Sequence, residues 1–432
     1  MNVEGRSELD CGIPAGNRVA KSLHGKVYEI AAARRRAARR EPVTGQVKTR
    51  AAAKYVRTNT GGTPSAPIID NTRKMTITTK AIQLTETRLK QIDPSDMLGK
   101  TLELDKQLRR GHEIADEFLL HNKLRAEALL DWFGLGGSAV SGDLLQAFGL
   151  EPPALDARIF VRRHARASQL PRLVCSYSGN TVEAVQALTE VDHRQVWLAV
   201  SSGGRLEQKA HAAGIPFLNL PGGYPPRAAV GYSLGAIHRL FQRIYDFHDP
   251  AIAKWPFKKL AEDSARYATL TREENPALDL AVKLVDRTPV IYTCDGLLGP
   301  ALAFRLRAQL AENSKVWSHS SDLPELAHNE VEAFAHLSQL LPPPMVIFLG
   351  GWATEGTFSD PRTPIEELLM KMGVATLRLD PSELFGTGNR LEYGIRLMLL
   401  LDAATVYLAI LRAEDPMEIP KITGLKNLLT GA

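Results

Sequence analysis

Cysteine is almost missing: Cys11, Cys175 and Cys294 are all that 432 residues contain. Three thiols cannot build a disulfide framework, and Cys175 and Cys294 fall in strand-like apolar runs, where they read as small buried side chains. This suits a reducing cytoplasm. Zinc-ligand spacing is also missing, since no CxxC occurs and His319, His328 and His336 stand eight or nine residues apart. The most apolar stretch, residues 397–411, is interrupted by Asp402 and too short to span a bilayer. The first residues lack the apolar core of a signal peptide. No GxxxxGK[ST] occurs, and GLGGSAVSG lacks the G-x-G-x-x-G spacing of a dinucleotide loop. These absences argue against a disulfide scaffold, a zinc site, a membrane span and a nucleotide cradle.

What is present is ordinary globular composition, 44% hydrophobic and 23% charged, and length enough for about two domains. The net charge of +5 is unevenly spread. Residues 1–74 hold 15 Lys and Arg against 6 Asp and Glu, whereas residues 75–432 hold 38 against 42. The basicity therefore belongs to an N-terminal segment containing AAARRRAARR, which reads as a disordered basic tail. It is an arm for nucleic acid or an acidic surface, an amphipathic targeting segment, or a dispensable extension ahead of a fresh beginning at Met75, and the last reading is favoured. With a mildly acidic globular part, neither a nucleic-acid nor a membrane partner is expected.

From residue 76 to 121 the pattern is helical, with Asp93 and Ser95 as candidate caps around Pro94. Strand-like and helical stretches then alternate. Strands are expected at 128–133, 173–176, 196–200 and 215–220, and in a second cycle at 290–294, 315–319, 345–349 and 374–379. Helices fall between them, and a long one at 391–412 closes the pattern. Repeated βα units imply an α/β fold with parallel sheets flanked by helices. Two cycles imply two doubly wound domains, 75–250 and 251–432, after the tail of residues 1–74.

Two Gly/Ser-rich turns join strand to helix in the first cycle. GGSA supplies Gly136, Gly137 and Ser138, and SYSGNT supplies Ser176, Ser178 and Thr181. Helix N-termini carry free N–H groups and partial positive charge, which suits phosphate. Ordinary N-capping would explain either turn alone. Two such turns at adjacent strand ends favour a phosphate site.

At these residues the sequence resembles a known family. GLGGSAVSGDLL, CSYSGNTVEAV, SSGGRLEQKAHAAGIP and LPGGYPPRAAVGY are similar to the first sugar-isomerase (SIS) domain of the bifunctional phosphoglucose/phosphomannose isomerases. GLLGPALAFRLRAQLAENSKV, DLPELAHNEVEAF and EDPMEIPKITGLKNLL resemble that family's C-terminal domain. The resemblance implies two SIS domains. It also implies interconversion of glucose 6-phosphate and mannose 6-phosphate with fructose 6-phosphate, without metal or cofactor. Gly136, Gly137, Ser138, Ser176, Ser178 and Thr181 would hold the sugar phosphate. Arg227 of PPR would face the developing enediolate, and Glu312 of ENSK would be the base. His328 of LAHNE would assist ring opening from the neighbouring subunit of a homodimer, and Lys426 of GLKNLL would support the same step. Departures include Asp295 before GLLG and extra length between the second-domain motifs.

The chemistry needs these residue types. A carboxylate takes and returns the migrating proton, an imidazole titrates near neutrality, and a fixed cation stabilises an oxyanion. Each also has a plainer account: a solvated Glu, a structural His, a surface Arg, a basic residue in a last helical turn. Two other functions remain open, an isomerase for another sugar phosphate and a non-catalytic SIS sensor.

Overall fold

The computed structural model describes residues 84–430, apart from 151–157, 165–168, 247–253, 297, 338, 341 and 352–359. The basic tail and the expected boundary near residue 250 lie outside these residues.

The chain enters through α1 (Glu86–Ile92), α2 (Met97–Leu102) and α3 (Leu104–His121). The Asp93 carboxylate accepts from the backbone N–H groups of Met97 and Leu98 at 2.7 and 2.9 Å, as a cap should. The residue at the cap position itself is Asp96, held at φ 52°. Ser95 does not cap by its side chain; its carbonyl receives the Lys100 ammonium.

Short apolar runs then form strands because both faces of a parallel sheet are covered by helices. The first sheet contains β1 (Leu129–Phe133), β2 (Arg158–Arg162), β3 (Arg172–Cys175), β4 (Val196–Ser201) and β5 (Phe217–Asn219). Its helices are α4 (Gly137–Ala147), α5 (Val182–Thr189), α6 (Gly204–Ala212) and α7 (Val230–Ile244). The order is β2-β1-β3-β4-β5, all parallel.

After α8 (Phe257–Tyr267) and α9 (Pro276–Leu284) the second cycle begins. It runs β6 (Thr288–Thr293), α10 (Leu298–Glu312), β7 (His319–Asp322), α11 (Phe334–Leu337), β8 (Pro344–Leu349), α12 (Arg362–Lys371) and β9 (Ala375–Leu379). Then come α13 (Pro381–Phe385), α14 (Arg390–Leu411) and α15 (Pro420–Thr430). Its parallel order, β7-β6-β8-β9, repeats that of the first four strands.

Two strand expectations need correction. β2 is absent from the expected set, because RIFVR is an edge strand bounded by arginines; it pairs with β1, and Arg162 Nε donates to Asp131 at 2.7 Å. The strand expected at 315–319 starts only at His319. Lys315 adopts φ 55°, and Asn313 and Ser314 are tied to Thr405, so the ladder forms after this turn.

Helix α14 has the length and composition to cross a membrane, yet 94% of its apolar window is buried. It packs against α2, α8, α9, α10 and α13, so the apolar run is the central core helix of the molecule. Cys175 and Cys294 are buried as expected, and burial pushes both thiols up to about 12.

Candidate active site

GGSA follows β1 and SYSGNT follows β3, the two strands at which the order of the first sheet reverses. Ligands of open α/β sheets sit at this switch point, beyond the carboxyl ends of the strands. Gly136, at φ 52°, turns the chain into α4. A Cβ on Gly137 would stand 2.9 Å from the Pro226 carbonyl, so the absence of a side chain lets the PPR loop rest on the helix start. Ser138 Oγ accepts from the Tyr177 N–H at 3.0 Å and joins the two turns. Ser176 Oγ donates to Thr181 Oγ1 at 3.0 Å. Ser178 is exposed, and its hydroxyl accepts from the Asn180 N–H at 3.3 Å. Gly179, at φ 65°, packs so closely on the 201–204 loop that a Cβ would fall 1.7 Å from the Gly203 carbonyl. The six residues expected to hold an anion therefore share two joined loops at the starts of α4 and α5.

Arg227 sits in a 3-10 turn, Pro226–Ala228, and is 4% exposed. Its Nε donates to Asn313 Oδ1 at 2.7 Å, and its Nη2 donates to the Pro416 and Met417 carbonyls at 2.6 and 2.9 Å. Nη1 faces the Glu312 carboxylate at 3.5 Å. Burial pushes the guanidinium down from its ordinary value, with Glu312 and then Asp415 opposing. Glu312 ends α10 and is half-buried. Through Arg227, whose neighbour Pro226 covers Gly137, the carboxylate is tied to the anion loops.

His328 closes a 3-10 turn, Glu325–His328, and is exposed. No hydrogen bond or ion pair joins it to Arg227 or Glu312. Lys426 lies on exposed α15. The structure thus assembles eight of the ten expected residues and leaves His328 and Lys426 on outer elements.

Several contributors escaped the sequence. Lys315 donates to the carbonyls of Asn313 and Asp415, which with Arg227 pins the strap before α15. Buried Arg305 and Asp402 form an ion pair, and Arg305 Nη2 also donates to the Arg227 carbonyl at 3.0 Å. The lone acid within the apolar run was the signal for Asp402.

The corresponding edge of the second sheet is acidic. Asp295 caps α10 through the Leu298 N–H at 2.7 Å, Asp322 accepts from Thr293 Oγ1 at 2.6 Å, and Arg362 is neutralised by Asp360 and Asp380. That edge suits a phosphate poorly. A groove of about 570 Å3 lies elsewhere, between α2, α3 and α8, and meets the PPR region only at Tyr224. Among the described residues no group of three or more His, Cys, Asp or Glu side chains is arranged to hold a metal ion.

Residues 273–429 match the family described as bacterial phospho-glucose isomerase C-terminal SIS domain. A bifunctional phosphoglucose/phosphomannose isomerase of Caldicellulosiruptor bescii is 29% identical over 77% of this chain and 98% of its own length. Others of that name are 24% to 28% identical. A D-glucosamine-6-phosphate 4-epimerase of Sulfolobus acidocaldarius is 28% identical over 47% of this chain and 63% of its own. A hypothetical protein of Thermus thermophilus superposes with a TM-score of 0.59 at 14% identity, over 78% of this chain and 90% of that one.

Proposed function

Because the chain belongs to the bifunctional phosphoglucose/phosphomannose isomerase family, we propose that it interconverts glucose 6-phosphate and mannose 6-phosphate with fructose 6-phosphate through a cis-enediol. One contact carries the reading: the Glu312 carboxylate faces the Arg227 guanidinium at 3.5 Å, beside a loop pair suited to phosphate.

In the open-chain aldose, Glu312 removes the C2 proton. The C2–H electron pair forms the C1–C2 double bond, and the carbonyl pair moves onto O1. Arg227 stabilises that charge, a term that is often the largest in such reactions. The same carboxyl returns its proton to C1 as the C2 carbonyl forms and the O2 proton is passed to O1. Nothing is oxidised overall. Arg227 spends its other donors on Asn313 and two carbonyls, so its cation is fixed before substrate arrives. GGSA and SYSGNT hold the phosphate, with Lys426 assisting ring opening. His328 acts at the ring oxygen from across a homodimer interface, a role that its exposed turn permits. The enzyme works in the cytoplasm, without metal or nucleic acid.

Steady-state rates on both aldose phosphates, with and without chelator, test the activity. Glu312→Gln is expected to lose at least about 10²-fold in kcat while substrate still binds. Near-full turnover by that variant would remove Glu312 as the base. Binding without turnover by the wild-type chain would point to a sensor, and turnover of glucosamine 6-phosphate instead would move the substrate to an aminosugar.

A further inference from the structure

Helix α14 is apolar through its buried middle except at Asp402 and Thr405, which lie one turn apart. Both lead to Arg227. Asp402 accepts from Arg305 Nε at 3.0 Å and from Nη2 at 2.6 Å, and the same Nη2 donates to the Arg227 carbonyl at 3.0 Å. Thr405 Oγ1 accepts from Asn313 Nδ2 at 3.0 Å, while Asn313 Oδ1 accepts from Arg227 Nε at 2.7 Å. One arm fixes the main chain of Arg227, and the other fixes its guanidinium. Arg305 and Asp402 are each 4% exposed, so this pair is withdrawn from water.

A buried ion pair is weak evidence for stability, because desolvation offsets its attraction and apolar residues of similar volume often serve as well. Its geometry is better explained by orientation: a planar fork that holds a carboxylate and a carbonyl together sets one position for the backbone between them. Ser314 Oγ donates to the Thr405 carbonyl at 2.6 Å, which holds the residue after Asn313 to the same turn. Glu312 therefore sits at the end of a helix anchored on both sides of it.

We propose that Asp402 and Thr405 are positioning residues for the isomerase reaction, holding Arg227 against Glu312 through Arg305 and Asn313. The inference rests on the isomerase reading. A misplacement of about 1 Å at a catalytic group is enough to lower a rate about 10²-fold.

The test compares Arg305→Met/Asp402→Leu, which removes both charges, with the wild-type enzyme. The double variant is expected to melt within a few degrees of wild type while kcat falls about 10- to 100-fold, with KM for fructose 6-phosphate within about twofold. A melting point kept together with wild-type kcat would overturn the proposal. So would a loss confined to KM. If the double variant does not accumulate as folded protein, Thr405→Val decides. It keeps the side-chain shape, and is expected to lower kcat about 10-fold with KM unchanged; unchanged kcat would overturn the proposal. A wild-type chain that turns over no sugar phosphate overturns the isomerase reading and this inference together, whereas an active wild type with active variants leaves the first standing.

Discussion

Gly179 shows how little freedom the SYSGNT turn has. Its φ of 65° is left-handed, and the Gly203 carbonyl occupies the space that a Cβ would need. Ser202 Oγ and N–H both donate to the Tyr177 carbonyl, at 2.7 and 2.8 Å, so the two loops cannot simply part. Gly179→Ala is expected to destabilise the fold by more than about 2 kcal/mol, through strain and overlap. Inorganic phosphate is expected to raise the wild-type melting point, and the variant is expected to lose that protection. An alanine variant that melts like wild type and is still protected would show that the loop is softer than its packing indicates.

At the scale of elements, α3 and α7 meet over two histidines. The rings of His112 and His238 lie 6.0 Å apart, against Trp255 and Phe257, and Trp255 Nε1 donates to His238 Nδ1 at 3.1 Å. Burial pushes His112 down to about 4 and His238 to about 3. Arg239 and Arg109 add to the effect on His112 and Asp116 opposes it; His112 and Arg239 add to that on His238. The folded rings are therefore neutral at pH values where free imidazole is already taking up protons. Their contribution is complete above about pH 6.5 and is lost as the pH falls toward about 4 for His112 and about 3 for His238, at up to about 1.4 kcal/mol per pH unit for each ring. Urea melts at pH 7 and pH 5 are expected to show this loss, and His112→Phe should reduce it to the share of His238. An unchanged pH slope in that variant would place the acid sensitivity elsewhere.

The elements were legible where one principle set them. The buried strands β3, β4, β6 and β8 are apolar runs ended by turn residues, and their assignment needed little else. Edge strand β2 carries arginines at both ends and so lost its periodic signal. Residues 315–319 are extended in composition, but a left-handed Lys315 and contacts with α14 delay the ladder, which no local pattern foretells. The GGSA and SYSGNT turns were readable as strand-to-helix turns because glycine and hydroxyl residues follow strands. Glu312 and Arg227 came from resemblance rather than from pattern, since an isolated Glu or Arg has no periodic signature. Asn313, Arg305 and Asp402 act across 78 to 97 residues of sequence separation, and only packing brings such partners together.

For the whole molecule, the second sheet repeats the order of the first four strands of the first, but the two differ in charge at the carboxyl edges of their strands. The basic and hydroxyl-rich edge belongs to the first sheet, and the acidic one, with Asp295, Asp322, Asp360 and Asp380, to the second. Titration calorimetry with fructose 6-phosphate is accordingly expected to give one site per chain; a stoichiometry of two would mean that the acidic edge also binds. A chain that begins at Met75 is expected to keep the melting point and kcat of the full protein. Loss of either on that truncation would give residues 1–74 a part in folding or turnover.

Helix α14 touches elements on both sides of residue 250, among them α2 and α10. A gene cut near residue 250 would strand Glu312 in one product and Arg227 with the glycine- and hydroxyl-bearing turns in the other, each with a bare greasy flank. A chain that retained only the later one would keep Glu312 without the guanidinium that faces it at 3.5 Å.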